Sequence, residues 1–206
     1  TVGSRRGVQL TSSGSTDITF DYNVCINPVN WWGLSTSSSK ATKTFTGLIQ
    51  DGGDWFYMGA PNTTYEDPVV LRARKIGFDV LVTSNVTINN GISNGNNYMG
   101  ASYWGGGLIN SNGFTCYNTD FQANRNASMS LNVCSDVRFL NCTVGNVASD
   151  NVNVYGAFDV TNQALFQDCL FDTGITLYSN HNDLNSGSEV KFHAIDQVDN
   201  VNRWYM

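Results

Sequence analysis

The feature that most limits what this chain can fold into is an internal repeat. The segment 136–144 (DVRFLNCTV) returns as 163–171 (QALFQDCLF), a shift of 27 residues. A related segment, 113–121, lies 23 residues upstream of the first, and 189–194 lies 26 residues downstream of the second. Aligned this way, the units give columns of like residues. One holds Phe114, Val137, Ala164 and Val190, and the next holds Cys116, Phe139, Phe166 and Phe192. A polar column follows with Asn118, Asn141 and Asp168, lapsing at Ala194, and then an apolar one with Phe121, Val144 and Phe171. Leu108, Leu131, Phe158 and Leu184 fall into the same alignment, and a looser unit begins at 78–82 with 85–88 after it.

A period of this length with two-residue alternation inside each unit has few physical explanations. Leucine-rich repeats share the period but carry a Leu-x-x-Leu-x-Leu signature that this chain lacks. The alternative is an all-β, single-stranded right-handed parallel β-helix, each unit forming one coil of short strands. Equivalent residues then stack at roughly 4.8 Å, so each column becomes a ladder. Phe over Phe fills a dry interior, and Asn over Asn can hydrogen-bond along the axis. Like charges at that spacing repel. The composition agrees, with 14% charged residues against about 25% in an average domain, and 26 Asn among 206 residues.

The chain divides by texture into an irregular β-rich N-terminal segment (1–66), parallel β-helix coils (67–197) and a C-terminal cap or subunit contact (198–206). In the first part, 33–42 is rich in Ser and Thr and reads as an exposed loop, 51–54 as a turn, and Pro61 to Pro68 as a polar joint. The start has no secretory-type apolar segment and reads as a mature or excised piece. No run approaches the roughly 18 apolar residues of a membrane span. A net charge of -6 disfavours nucleic acid, whose phosphates need a basic surface. Cys25, Cys116, Cys134, Cys142 and Cys169 show no zinc spacing and read as free core thiols rather than a disulfide framework. Four glycosylation-type sequons begin at Asn62, Asn85, Asn126 and Asn141, a number that so much Asn, Ser and Thr yields by chance.

The units around Phe139–Val144 and Phe166–Phe171 resemble the coils of right-handed parallel β-helix proteins, the pectate-lyase-like superfamily. Within it, the low charge, the Asn-, Gly-, Ser- and aromatic-rich composition and the free cysteines are most similar to bacteriophage tailspike and tail fibre proteins. The resemblance covers roughly 75–195 and is architectural. It implies a homotrimer at the virion tail, extracellular, contacting other virion tail proteins and binding a bacterial surface glycan, with no cofactor and no metal. Some members of that superfamily cleave the glycan, as a hydrolase or a lyase, and a purely structural virion subunit is the third reading.

Flat aromatic side chains among small residues suit stacking on sugars. They are Trp31, Trp32, Trp55, Tyr57, Tyr98, Tyr103 and Trp104, and the same rings would equally serve a subunit interface. A glycosidase needs two carboxyl groups roughly 5 to 9.5 Å apart. Asp54, Asp150, Asp172 and Asp183 are the catalytic candidates, and the sequence does not pair them. Arg72, Arg74 and Lys75 are grouped without the acidic cluster of a calcium-dependent lyase, and His181 and His193 form no triad.

Overall fold

The computed structural model describes residues 8–12, 21–28, 32–38, 43–81, 83–97, 99–104, 112–124, 127–132, 135–144, 152–157, 163–171, 175–179, 189–193 and 196–197. Side chains are described for 21–28, 34–36, 44–80, 83–97, 113–124, 137–144 and 167–170.

The strands follow one another coil by coil. The first coil contributes β1 (Val8–Ser12) and β2 (Val24–Ile26), and the second β3 (Trp32–Ser38), β4 (Lys43–Thr46) and β5 (Ile49–Asp51). Next come β6 (Trp55–Met58), β7 (Thr63–Glu66) and β8 (Val69–Leu71), then β9 (Ile76–Leu81), β10 (Val86–Asn89) and β11 (Ile92–Asn94). The fifth coil holds β12 (Met99–Trp104), β13 (Asn112–Tyr117) and β14 (Asp120–Phe121), and the sixth β15 (Ala127–Asn132), β16 (Ser135–Leu140) and β17 (Thr143–Val144). The last two add β18 (Val152–Ala157), β19 (Gln163–Gln167), β20 (Leu170–Phe171), β21 (Ile175–Ser179), β22 (Glu189–His193) and β23 (Asp196–Gln197).

Every third strand pairs in parallel with its counterpart in the next coil. The result is a parallel β-solenoid with three sheets: I, eight strands from β1 to β21; II, seven from β4 to β22; III, eight from β2 to β23. Three of the columns read from the repeat are the observed register: Phe114–Val137–Ala164–Val190, Cys116–Phe139–Phe166–Phe192 and Phe121–Val144–Phe171. Among the described rings, a continuous chain runs through the interior from Phe45 to Tyr65, Phe56, Phe78, Phe121, Phe139 and Phe114. Its centroids are 5.5 to 6.3 Å apart and its contacts mostly edge-to-face, the arrangement the ring quadrupole favours.

The polar column marks the bend between sheets II and III. Its members are Tyr22, Gly47, Asp67, Asn90, Asn118, Asn141 and Asp168, all with φ between +46° and +62°. Asn, Asp and Gly enter this left-handed region most readily, so the bend selects them. Asn141 donates to Asn118 at 2.7 Å, Asn118 to Asn90 at 3.2 Å and Asn90 to Asp67 at 3.2 Å. The residue that follows points into the core. Thr119 donates its hydroxyl to the Tyr117 carbonyl at 2.8 Å, and one and two coils on Cys142 and Cys169 donate their thiols to the Leu140 and Gln167 carbonyls at 3.5 and 3.4 Å. At the same position Gly91 is obligatory, since a Cβ there would lie 2.8 Å from Ile88 Cγ2. The four described cysteines are free and buried. The Cys142 thiol is pushed up by its hydrogen bond to Cys169 and by burial, so it stays a donor.

Four expectations need correction. The Ser/Thr-rich stretch 33–42 is no exposed loop where it is described. It forms most of β3, with Leu34, Ser35 and Thr36 at 0 to 1% exposure. The Thr36 hydroxyl bonds the Tyr65 phenol, and the Gln50 side chain accepts from the Leu34 N–H at 2.8 Å. The joint between Pro61 and Pro68 is strand β7, with Thr63 and Tyr65 buried. The column through Leu131 also differs: Leu131 pairs with Tyr103 and Gly156, not with Leu108 and Phe158. Residues 105–111 join sheet I to sheet II in one coil but only 133–134 do so in the next, so the spacing that aligns sheet II misaligns sheet I. Coils are also not confined to 67–197. Strands β1 to β7 belong to the same sheets, with register shifts at Trp32/Ser35 and Trp55/Phe56. Segment 198–206 lies outside the described residues.

Replacing Phe139, fully buried and touching two other rings, with Ala is expected to cost about 3–5 kcal/mol in urea denaturation. Asn118→Val forces a β-branched residue to φ +46° and should cost about 1–3 kcal/mol, whereas Asn118→Gly should cost far less.

Candidate functional site

The site is built on the outer face of sheet I. Alternation along β6 turns Phe56 and Met58 into the core and leaves Trp55 and Tyr57 half-exposed outside. Along β9, Phe78 and Val80 are core residues, so Asp79 between them faces outward. Register aligns Ser35, Tyr57, Asp79 and Ser102 on four successive coils. Trp32 and Trp55 are paired one coil apart. The Tyr57 ring lies back along its strand over Gly59, where a Cβ would be 2.6 Å from the phenol oxygen.

A charged edge borders these rings. The Lys75 ammonium sits 4.6 Å from the centroid of the Trp55 ring, a cation–π contact. Asp54 holds this edge in place, accepting from Arg74 Nε at 2.9 Å and facing Lys75 Nζ at 3.7 Å. Arg72 is tied to Asp51, with Nε donating at 2.8 Å. The cluster of Arg72, Arg74 and Lys75 is therefore ion-paired, Arg72 with Asp51 and the other two with Asp54. Asp150, Asp172, Asp183, Trp31 and Tyr98 lie outside the described residues. Tyr103 and Trp104 belong to β12, in register with Val80 of the core column and with Leu81.

Asp79 is the residue that sequence reasoning missed. It is only 4% exposed, and its carboxyl has no hydrogen bond or ion pair among the described residues. Burial alone pushes its pKa up to about 7. Burial, and secondarily the Asp79 charge, also raises the Tyr57 phenol. The available signal was an Asp flanked by core residues within an apolar strand, which places a carboxyl at the surface of a sheet with nothing basic beside it in the column.

Sheet III carries a different surface. Val24, Ile49, Val69 and Ile92 form an outward aliphatic row on four coils, with Val24 at 42% and Ile92 at 37% exposure. Among the described residues no group of three or more His, Cys, Asp and Glu could hold a metal ion, and no helix is long and apolar enough to cross a membrane.

No family model, no curated protein and no solved structure matches this chain.

The raised carboxyl sets a pH dependence. Below about pH 4 Asp79 is protonated in folded and unfolded chains alike. As pH rises from there toward about 7, the unfolded chain ionises first, and stability drains by an amount on the order of 4 kcal/mol. The melting temperature should therefore fall between about pH 4 and 7 by more in wild type than in Asp79→Asn. Parallel curves would show that the carboxyl is not buried as described.

Proposed function

We propose that this chain is a β-helical receptor-binding protein of the bacteriophage tailspike or tail fibre type, which recognises a bacterial surface polysaccharide on the outer face of sheet I. The observation that carries the reading is the pair of partly exposed rings, Trp55 and Tyr57, on the outer face of one sheet. Rings at fixed positions on a stiff sheet offer stacking surfaces at little entropic cost. The enzyme alternative, a hydrolase or lyase, draws on Asp79, a carboxyl protonated near neutral pH as a general acid must be.

The assembly proposed is a homotrimer at an extracellular virion tail. The aliphatic row of sheet III supports it as a contact between copies. Fold alone fixes none of this, since β-solenoids host many functions.

The test is binding of the purified chain to capsule and lipopolysaccharide glycans from a panel of bacteria, with reducing-end release followed in parallel. Wild type should bind at least one glycan, and Trp55→Ala should weaken that binding tenfold or more, about 1.4 kcal/mol. Oligosaccharide release would replace the binding reading with the enzymatic one, and no binding to any glycan would overturn both. Light scattering should give the mass of three 22.6 kDa chains; a monomer would remove the trimer from the account.

A further inference from the structure

We propose that Asp79 is the hydrogen-bonding anchor of a saccharide subsite on the outer face of sheet I. The inference rests on the glycan-binding reading and names the group at its centre. Four observations carry it. The position faces outward, because Phe78 and Val80 on either side are in the core. The carboxyl is nonetheless shielded, with 4% exposure. It has no protein partner among the described residues, and the nearby basic side chains are committed elsewhere, Arg74 and Lys75 to Asp54 and Arg72 to Asp51. It stands in register with Tyr57, a half-exposed ring on the adjacent coil.

Several other buried polar side chains in the described coils have protein partners. Asn96 gives and receives three hydrogen bonds with Ala73, Ser93 and Asn124, Gln50 bonds Leu34 and Gly52, and Thr36 bonds Tyr65. Asp79 gains nothing of this kind. A buried carboxyl without partners weakens a fold, and a β-branched residue would suit the strand better. Its use must then lie in what binds. A neutral carboxyl offers one donor and free acceptor lone pairs, the same pairing capacity as a sugar hydroxyl. A sugar ring against Tyr57 places hydroxyls one coil away, roughly 4.8 Å along the axis. A metal ion would want further carboxylates, and the described residues bring none to this position.

The experiment compares wild type, Asp79→Val and Asp79→Asn, using thermal melting and binding to the polysaccharide that wild type retains from the panel. Asp79→Val should melt higher than wild type yet bind at least tenfold more weakly. Asp79→Asn, which keeps a donor and an acceptor, should bind within about threefold of wild type. A structural role predicts the opposite for melting, so a lower melting temperature in Asp79→Val overturns the proposal. Undiminished binding by Asp79→Val overturns it while leaving the glycan reading intact. Wild type that binds no glycan sinks the reading and the subsite together.

Discussion

Axial stacking is the constraint on which the rest of this molecule depends. Each coil lies one strand spacing above the last, so every residue must tolerate its counterpart directly above and below. Rings satisfy this by edge-to-face contact, and aliphatic residues by simple packing. Several carboxylates do so with a donor beside them. Asn89 donates to Glu66 at 2.7 Å, Asn90 to Asp67 at 3.2 Å and Asn94 to Asp120 at 2.9 Å. Low charge and abundant Asn are thus two consequences of one geometry: Asn serves both as the neighbour an acidic rung needs and as the residue that enters the left-handed bend.

The interior obeys the same rule in polar form. Between coils, the Asn96 amide donates to Asn124 Oδ1 at 2.9 Å and Asn124 donates to the Ser93 carbonyl at 3.0 Å. Such a satisfied network costs less than isolated polar groups and fixes the register between coils. Against this background the outer face of sheet I stands apart. It carries rings bordered by an ion-paired edge, together with a shielded carboxyl that no described side chain hydrogen-bonds. A group that departs from the rule of paired polar atoms is where a ligand is best sought.

How much of this was legible in the sequence follows from loop lengths. Sheets II and III are joined by a two-residue bend, as at Asn118–Thr119 and Asn141–Cys142, so a single shift aligned Phe114, Phe139 and Phe121 with their counterparts. Sheet I is reached through connections of changing length, and there the alignment through Leu131 slipped. The Ser/Thr stretch of β3 looked like a loop because composition does not reveal partners such as Tyr65 for the Thr36 hydroxyl and Gln50 for the Leu34 N–H. Of the candidate site, Trp55 and Tyr57 could be read as rings, but Asp79 could not be singled out. Its significance comes from the burial of one outward position and from its having no partner among the described residues, and both are properties of the folded neighbourhood.

The most direct measurement is a crystal structure of the chain with an oligosaccharide cut from the polysaccharide it binds. The account predicts a sugar on the outer face of sheet I, with a hydroxyl within about 3.2 Å of the Asp79 carboxyl and a ring face against Tyr57 or Trp55. A sugar seated instead on the threonine row of sheet II, Thr44 to Thr115, or on the aliphatic row of sheet III, with Asp79 untouched, would contradict it.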